Sequence, residues 1–531
     1  MLNTLNALGG MVVAPHHLAA QAGRDVLLDG GNAVEAMVAA AAAIAVVYPH
    51  MNSIGGDGFW LIHRPGHEPV AIDASGFAAR LATRQFYQGM DAIPPRGPGA
   101  ALTVAGTVSG WDKALEHART WSKSPMPLNR LLRDGIRHAR EGVVVTASQE
   151  DLTRQKLDGL KEAPGFSDVY LVQGEVPRRG AVLRQPALSA TLSTLAERGL
   201  DDFYRGSLAL RIGAELELLG SPVRTSDLTA YSAKFVKPLS VRLSDSTVYN
   251  LPPPTQGLAS LMILGLFERL GIPTTEGERF AHLHGLIEAT KQAFRERNRV
   301  VTDPERLPAD PAQSLTRNAL NAAARRINPA VALPWPEPAA PGDTIWMGAI
   351  DRDGCAVSFI QSTYWEFGSG VVLGDTGITW QNRGISFSLN PTDLNALEPG
   401  RKPFHTLNPA LALFDDGRVM SYGTMGGEGQ PQTQAAVFTR YARFGQSLQQ
   451  AITAPRWLLG RTWGDVSTNL KLENRFDPAL VQALRDAGHD VEVLDQAFSD
   501  TMGHAGALVR HPDGRIEGAA DPRSDGAAAG L

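Results

Sequence analysis

Residues 343–354 read DTIWMGAIDRDG, and here an apolar strand begins abruptly with a threonine after a Pro- and Ala-rich segment. A threonine hydroxyl is a weak nucleophile unless a base lies beside it, and a threonine at a chain terminus carries its own base, the free α-amine. The ordinary pKa of an α-amine is about 7.7–8.0, so a useful fraction is neutral at physiological pH. The pattern is typical of a chain that cuts itself between Asp343 and Thr344 and then uses Thr344 as a nucleophile.

The sequence around this threonine predicts a β-hairpin. Two apolar runs are joined by an Asp-Arg-Asp-Gly turn, which is typical of a hairpin loop. With Ile350 opposite Cys355, counting back along both strands places Thr344 beside Gln361 and Ser362. Ser362 would then supply a second hydroxyl that holds or polarises the first. An ordinary hairpin buried on both faces in a sheet core stays open as the alternative.

Composition and charge exclude several classes of protein. The 531-residue chain is long enough for a large core, and its 43% apolar and 20% charged residues are ordinary for a globular protein. A formal net charge of -5 offers no basic excess, so we expect no nucleic acid partner. The single cysteine, Cys355, excludes an internal disulfide framework and favours a reducing compartment.

Neither a signal peptide nor a membrane span is expected. The first ten residues lack a basic region followed by an apolar core. The longest apolar stretch, residues 36–47, is too short to span a bilayer. We therefore expect a cytoplasmic protein with no membrane partner.

Periodicity and turn residues give a coarse order of elements. Asn32 is a good N-cap for a buried, Ala-rich helix that ends at Pro49. Further helices are predicted over residues 128–141, 188–198, 258–270, 282–297 and 478–487, and strands over residues 59–63 and 239–250. Strands in two stretches flanked by helices indicate a layered arrangement with sheet packed on sheet.

Nine short motifs resemble those of the γ-glutamyltransferase family of N-terminal nucleophile hydrolases. In chain order they are GGNA (30–33), P with GG (49, 55–56), VAGTVSG (104–110), PPPTQG (252–257), GDT (342–344), DGCAVS (353–358), FGSG (367–370), RKPFHT (401–406) and MGG (425–427). Each is weak alone, but so many in this order identify the chain as a member of the family.

The resemblance implies an α+β protein, a four-layer αββα sandwich that forms one compact unit. It implies that a precursor cuts itself into a large subunit, residues 1–343, and a small subunit, residues 344–531, which stay together as a heterodimer. Whether two heterodimers pair stays open. Thr344 would be both the processing and the catalytic nucleophile, and Ser362 takes the place of the family's second hydroxyl. The last motif matches the glycine pair, Gly426 and Gly427, whose N–H groups form the oxyanion hole.

The residues with which γ-glutamyl enzymes of this family bind an α-amino acid head group are replaced. The replacements are Ser75 for an arginine, Tyr364 for an asparagine, Arg383 for a glutamine, Ser386 for an aspartate, and His405 with Thr406 for a pair of serines. A serine cannot form the bidentate, charge-assisted pair that an arginine forms with a carboxylate. The anionic group for an α-ammonium is therefore expected to be lost, and a cation, Arg383, is gained near the head-group position.

These replacements predict a smaller pocket that binds a carboxylate. We expect Arg383 to pair with that carboxylate, His405 or Thr406 to assist, and the bulk of Trp346 and Tyr364 to limit the pocket's size. Oxamate is the smallest amide that carries a carboxylate. The segments APHHLA (14–19), VYPHMN (47–52) and GGDGFW (55–60) also resemble a branch of the family that hydrolyses oxamate to oxalate and ammonia in purine breakdown. A solvated or ion-paired structural role for Arg383 stays open.

Three other functions stay open. They are a γ-glutamyl hydrolase or transpeptidase acting on glutathione, an acylase for larger amides, and a non-catalytic binding protein that kept the fold. The threonine mechanism requires no cofactor, and none is expected. No metal site is expected either, because Pro65 and Gly66 prevent the helix that would bring His63 and His67 together.

Overall fold

The computed structural model describes residues 3–335, 343–460 and 468–531. Part of the Pro- and Ala-rich segment before Thr344, residues 336–342, therefore lies outside the described residues. In the described ranges the strands are β1 (Leu5–Ala7), β2 (Gly10–Ala14), β3 (Asp57–His63), β4 (Val70–Ala74), β5 (Val143–Val144), β6 (Val182–Leu183), β7 (Lys234–Val236), β8 (Leu239–Arg242), β9 (Ser246–Asn250), β10 (Asp343–Asp351), β11 (Ala356–Tyr364), β12 (Ala410–Phe414), β13 (Val419–Thr424), β14 (Trp457–Leu459), β15 (Leu470–Glu473), β16 (Val491–Leu494), β17 (Ala505–Arg510), β18 (Ile516–Ala520) and β19 (Ala527–Gly530).

The helices of the same ranges follow in chain order. They are α1 (His17–Leu28), α2 (Ala33–Val47), α3 (Thr107–Arg119), α4 (Leu128–Glu141), α5 (Ala147–Leu160), α6 (Phe166–Tyr170), α7 (Pro186–Arg198), α8 (Asp202–Arg205), α9 (Ser207–Leu218), α10 (Thr225–Ala230), α11 (Gly257–Arg269), α12 (Phe280–Val300), α13 (Arg317–Ala324), α14 (Gly429–Phe438), α15 (Leu448–Thr453) and α16 (Pro478–Asp486). Within these helices, none is long and apolar enough to cross a bilayer.

Two antiparallel sheets form the centre of the molecule. Sheet I has the strand order β1-β18-β17-β13-β12-β9-β8, and sheet II has the order β19-β2-β10-β11-β3-β4-β7. The strand that begins with Asp343 and Thr344, β10, is central in sheet II, between β2 and β11. Two smaller sheets, β14-β15-β16 and β5-β6, lie outside this pair.

Three apolar cores separate four layers. One core joins helices α1 to α10 to sheet II, and a second joins helices α11 to α16 to sheet I. The third lies between the sheets and contains Met11, Phe59, Leu411 and Leu508. Helices therefore cover the outer face of each sheet, and the four-layer αββα sandwich predicted from the family resemblance is confirmed.

Strand β10 is apolar from Ile345 to Ile350, where both of its faces are buried. Ile345 and Met347 belong to the core beneath the helices, whereas Trp346 and Ile350 belong to the core between the sheets. This alternation is the two-residue period of a strand, and burial on both faces removes the usual polar positions. The site at the start of β10 therefore lies in the buried interior of the molecule.

Most predicted helices are confirmed within a few residues. Asn32 caps α2 with a capping box to Glu35, and every residue of α2 is buried, as the Ala-rich pattern predicted. The single strand predicted over residues 239–250 is wrong, because β8 and β9 are two antiparallel strands of a hairpin. Ser244 and Asp245 form its turn, a polar interruption that marks a chain reversal between apolar runs.

Candidate active site

The hairpin of β10 and β11 forms as predicted, but its register differs by one residue. Ile350 pairs with Ala356 rather than with Cys355. Cys355 instead belongs to the turn, where its N–H donates to the Asp351 carboxylate at 2.9 Å. The Asp-rich turn is therefore longer by one residue than the count assumed.

A β-bulge lies at the predicted cleavage position. Asp343 pairs with Tyr364 and Ile345 pairs with Gln361, so the register shifts between these two pairs. Two residues of β11 therefore oppose one residue of β10, which is Thr344. Bulges bend a strand and re-aim its side chains, and they are common beside active sites. The Thr344 side chain is completely buried.

The two bulged residues are Ser362 and Thr363. Both side chains are buried, and the Ser362 hydroxyl accepts the Tyr364 N–H at 2.8 Å. On its other side Ser362 pairs with Asp57 of β3. The register correction thus still leaves Ser362 opposite Thr344, as predicted, but Gln361 lies opposite Ile345 instead.

Sequence reasoning missed a direct partner of Thr344, the predicted nucleophile. The Gln430 side-chain amide in α14 donates from Nε2 to the Thr344 hydroxyl oxygen at 3.3 Å. Its Oε1 accepts from the backbone N–H and from Nδ2 of Asn408, each at 3.1 Å. The available signal was a Gln-Pro-Gln-Thr-Gln run after the glycine pair, in a helix whose ten residues are all buried.

The predicted oxyanion glycines lie in the turn between β13 and α14. Gly426 and Gly427 have φ values of +116° and +53°, a region that favours glycine. The Gly427 carbonyl accepts from Gln256 Nε2 at 2.8 Å and from the Gln430 N–H at 3.2 Å. Within the described ranges, no hydrogen bond uses the N–H of either glycine. Two N–H donors thus lie at the start of α14, where the helix dipole favours negative charge.

Arg383 begins a short 3₁₀ turn and is only 1% exposed. Its guanidinium carbon lies 3.8 Å from the centre of the Tyr364 ring, and Nη1 donates to the Thr406 hydroxyl at 3.3 Å. Nε and Nη2 find no hydrogen-bond acceptor among the described residues, and no carboxylate of those residues forms an ion pair with it. Burial lowers the pKa of Arg383 to about 10, so the cation persists at neutral pH. The solvated alternative for Arg383 is therefore wrong.

Sequence reasoning also missed Asp57 of β3, a carboxylate buried beside the site. Its Oδ1 accepts from the Gly76 and Gly106 N–H groups and from Gln381 Nε2 at 2.9 to 3.2 Å. Burial raises the pKa of Asp57 to about 7, against the opposing effect of these donors. The signal in the sequence was an acidic residue at the start of a strand whose next residues, Gly58 to Ile62, carry no polar side chain.

His405 lies between these charges. Its Nε2 is 3.4 Å from Asp57 Oδ2, and its ring packs edge-on against Phe59. Burial, then the nearby Arg383 cation, lowers the pKa of His405 well below its ordinary value. His405 is thus a neutral imidazole, and neither ring nitrogen makes a hydrogen bond with a described residue.

Ser75 uses its hydrogen-bond donors on a neighbouring residue, Asp73. Its N–H and hydroxyl both donate to Asp73 Oδ1, at 2.9 Å and 2.5 Å. The other oxygen of Asp73 accepts from Lys402 Nζ at 2.7 Å. This position is therefore a closed polar cluster rather than a carboxylate clamp.

Two further predicted pocket residues have different surroundings. Ser386 ends the turn that Arg383 begins, and its buried hydroxyl oxygen has no hydrogen-bond partner among the described residues. Trp346, expected to limit the pocket, donates to the Ser358 hydroxyl at 2.9 Å and belongs to the core between the sheets. We therefore assign Trp346 to sheet packing.

A chain of hydrogen-bonded residues joins Thr344 to the buried Arg383 cation. It runs from Thr344 through Gln430 and Asn408 to the Thr406 carbonyl, which accepts from Asn408 Nδ2 at 2.9 Å. The Thr406 hydroxyl then accepts from Arg383. The Thr344 hydroxyl and the desolvated Arg383 guanidinium therefore belong to one buried, connected site. Gly427 is joined to it because Gln256 Nε2 donates to both the Thr406 and the Gly427 carbonyls.

One group among the described residues has the spacing of metal ligands. His284, Glu288 and His489 place ligand atoms within 4.8 Å of one another. Each is already satisfied, because His284 Nδ1 lies 2.9 Å from His489 Nε2 and Lys291 pairs with Glu288 at 2.6 Å. The ammonium of Lys291 opposes a second cation there, so we assign this group to packing.

Known proteins resemble this chain in both sequence and structure. A family model described as gamma-glutamyltranspeptidase matches residues 19–531. The oxamate amidohydrolase proenzyme of Klebsiella pneumoniae is 58% identical, covering 98% of each chain. The glutathione hydrolase-like YwrD proenzyme of Bacillus subtilis is 40% identical, again over 98% of each. The crystal structure of a cephalosporin acylase from Bacillus halodurans superposes with a TM-score of 0.91 at 33% identity, over 100% of this chain and 97% of that one.

Proposed function

The chain belongs to the gamma-glutamyltranspeptidase family and is an amidohydrolase acting on C–N bonds, and from this premise we propose that it is a self-cleaving threonine hydrolase of oxamate. The observation that carries the substrate is Arg383, a buried cation with two N–H donors that lack acceptors among the described residues. The similarity to a protein called oxamate amidohydrolase proenzyme supports both the substrate and the processing.

Processing would begin at the bulge of β11. The Thr344 hydroxyl attacks the carbonyl carbon of Asp343, the peptide C–N bond breaks, and an ester to Thr344 Oγ1 forms in its place. Water then hydrolyses the ester, which leaves a carboxylate on residue 343 and a free α-amine on residue 344. The large and small subunits remain together as a heterodimer.

The same hydroxyl would then act on substrate. The α-amine of Thr344, directly or through water, takes the hydroxyl proton as Oγ1 attacks the amide carbon. The N–H groups of Gly426 and Gly427 stabilise the oxyanion, and ammonia leaves with the proton returned by the amine. Water hydrolyses the acyl ester and releases oxalate, so that one oxamate and one water give one oxalate and one ammonia.

The pocket chemistry favours a carboxylate next to the amide. Arg383 can donate two hydrogen bonds to it while the face of Tyr364 packs against the guanidinium. His405 is uncharged, so it can orient the substrate without repelling the cation. Ser362, Thr406 and the Ser386 hydroxyl complete a polar lining. Purine breakdown in the cytoplasm is the setting we propose, because it yields oxamate in the branch that this chain resembles.

Ammonia release from oxamate by processed protein tests the proposal, with two variants of Thr344. Thr344→Ala should neither cut itself nor release ammonia, whereas Thr344→Ser keeps a hydroxyl and should retain part of both activities. An uncut Thr344→Ala protein that still hydrolyses oxamate would refute the nucleophile.

An acylase for larger amides is the second candidate, supported by the acylase structure that superposes on the whole chain. Cephalosporin and γ-glutamyl amides therefore belong in the same assay. Turnover of either by processed protein, with none of oxamate, would keep Thr344 as nucleophile and discard the small carboxylate pocket.

A further inference from the structure

We propose that Gln430 is a catalytic hydrogen-bond donor to the nucleophile, stabilising the negative charge that Thr344 Oγ1 carries in both self-cleavage and turnover. This inference rests on the proposed function only in that Thr344 is the nucleophile. The contact that carries it joins Gln430 Nε2 to Thr344 Oγ1 at 3.3 Å, between two side chains with no exposed surface.

The orientation of the Gln430 amide is determined by its other end. Oε1 lies 3.1 Å from the backbone nitrogen of Asn408, and a backbone N–H can only donate. Asn408 Nδ2 donates to the same oxygen. The oxygen must therefore face Asn408, so the NH₂ group faces Thr344 and donates to its hydroxyl.

Asn408 is held as firmly as the glutamine it orients. Its Nδ2 also donates to the Thr406 carbonyl at 2.9 Å, and its own carbonyl accepts from Gln434 Nε2. Gln256 Nε2 bridges the Thr406 and Gly427 carbonyls at 2.7 and 2.8 Å. The donor that faces Thr344 and the turn with the oxyanion glycines thus belong to one fixed network.

A donor at this place has two chemical effects. Because the Thr344 oxygen accepts from Gln430, its own proton points away from Gln430, and the negative charge that develops when this proton is removed faces the amide donor. When the acyl ester is hydrolysed, Oγ1 is the leaving atom and carries negative charge until it regains a proton. A fixed N–H group in a dry site stabilises the oxygen at both stages without reorganising.

The first test replaces the donor with an isosteric apolar side chain. Gln430→Met should slow self-cleavage by about 10²-fold, the loss typical of one donor to a charged oxygen. Gln432→Met is the matched control, since Gln432 lies in the same helix, is equally buried and bonds to Leu459 and Glu428 instead. Thermal unfolding of both variants separates loss of chemistry from loss of fold.

Gln430→Glu gives a readout that a purely structural role would not change. An ionised carboxylate still accepts from Asn408 but cannot donate to Thr344, whereas the protonated acid can do both. The rate of self-cleavage of Gln430→Glu should therefore rise as pH falls through the range in which the new carboxyl group becomes protonated. The rate of the parent should not rise in that range.

Two results would overturn the inference. They are a Gln430→Met protein that cuts itself at the parent's rate, and a Gln430→Glu protein with the parent's pH profile. Self-cleavage does not depend on the added substrate, so failure to hydrolyse oxamate would count against the proposed substrate and leave this inference standing. Self-cleavage by Thr344→Ala would instead remove the nucleophile on which it rests.

Discussion

Arg383 is held by an aromatic face and one hydroxyl rather than by an acid. A desolvated guanidinium whose remaining N–H groups lack acceptors among the described residues is costly unless an anion binds. This is the residue-level basis of the carboxylate pocket that we propose.

Arg383→Met should raise the KM for oxamate about 10- to 100-fold, because a hydrogen bond to a charged group contributes ~1.5–3 kcal/mol. Self-cleavage should be nearly unchanged, since no substrate carboxylate takes part. Arg383→Lys keeps the charge but loses the planar, two-pronged donor group, so its KM for oxamate should lie between those of the parent and Arg383→Met. Steady-state kinetics of ammonia release would show this, and an unchanged KM in Arg383→Met would place the carboxylate elsewhere.

Asp57 makes stability depend on pH. Burial raises its pKa from 3.8 to about 7, so across this window the folded protein holds a proton that the unfolded chain has released. Stability contributed by this group is therefore present at low pH and lost as pH rises towards 7. Asp57→Asn keeps an oxygen for the three donors and removes the charge. The melting temperature of Asp57→Asn should rise relative to that of the parent as pH increases from about 4 to about 7. A difference that stays constant over this range would contradict the assignment.

At the scale of single residues, the sequence allowed a prediction only for those site residues that lie in short continuous motifs. Thr344 follows an abrupt change of composition, and Gly426 with Gly427 form an adjacent pair. Asp57 and Gln430 were missed because their importance comes from residues distant in the chain. Nothing local says that a glutamine in α14 meets the first residues of β10.

Among the elements, β10 of sheet II packs closely on β13 and β17 of sheet I through the side chain of Trp346. The Trp346 indole from β10 lies over glycines of β13 and β17. A Cβ added to Gly423 would lie 2.2 Å from the indole, and one added to Gly506 would lie 2.5 Å from it. The close approach of the sheets beside the site therefore depends on the absence of side chains at these positions.

Gly423→Ala should destabilise the protein by about 1–3 kcal/mol, because a rigid core cannot move the indole aside. Gly159→Ala is the contrasting variant, since it lies in the exposed part of α5 with no atom within 4 Å of the added carbon. Helix propensity should make it more stable by ~0.5–1 kcal/mol. Thermal unfolding would resolve the opposite signs, and equal melting temperatures would refute the tight contact.

Elements with strong local signals were predictable, and registers were not. The cap at Asn32 and the apolar period of α4 depend on neighbours in sequence. The β-bulge depends on pairing across two strands, and a count from the turn could not reveal the extra residue. The same limit merged β8 and β9 into one predicted strand.

At the scale of the whole molecule, the proposed cut would leave two pieces whose strands alternate within the same sheets. Among the described residues, five strand pairs join chain before Thr344 to chain after it: β1 with β18, β9 with β12, β2 with β10, β3 with β11, and β2 with β19. Both sheets therefore contain strands from each piece.

The processed pieces should stay together at nanomolar concentration. Separating them breaks main-chain hydrogen bonds in both sheets and exposes all three cores. Size-exclusion chromatography should show one peak with both pieces, and denaturant should release them only together with loss of secondary structure. Two peaks under native conditions would contradict the interleaving.

The strand order of the sheets has a further consequence for the life of the protein. An uncut Thr344→Ala chain should refold after denaturation at a rate independent of concentration, because all its strands belong to one molecule. The processed pair must first meet, so its recovery should depend on concentration and compete with aggregation. Self-cleavage would then be irreversible in folding as well as in chemistry. The processed protein would keep a fold that formed while the peptide bond between residues 343 and 344 was still intact.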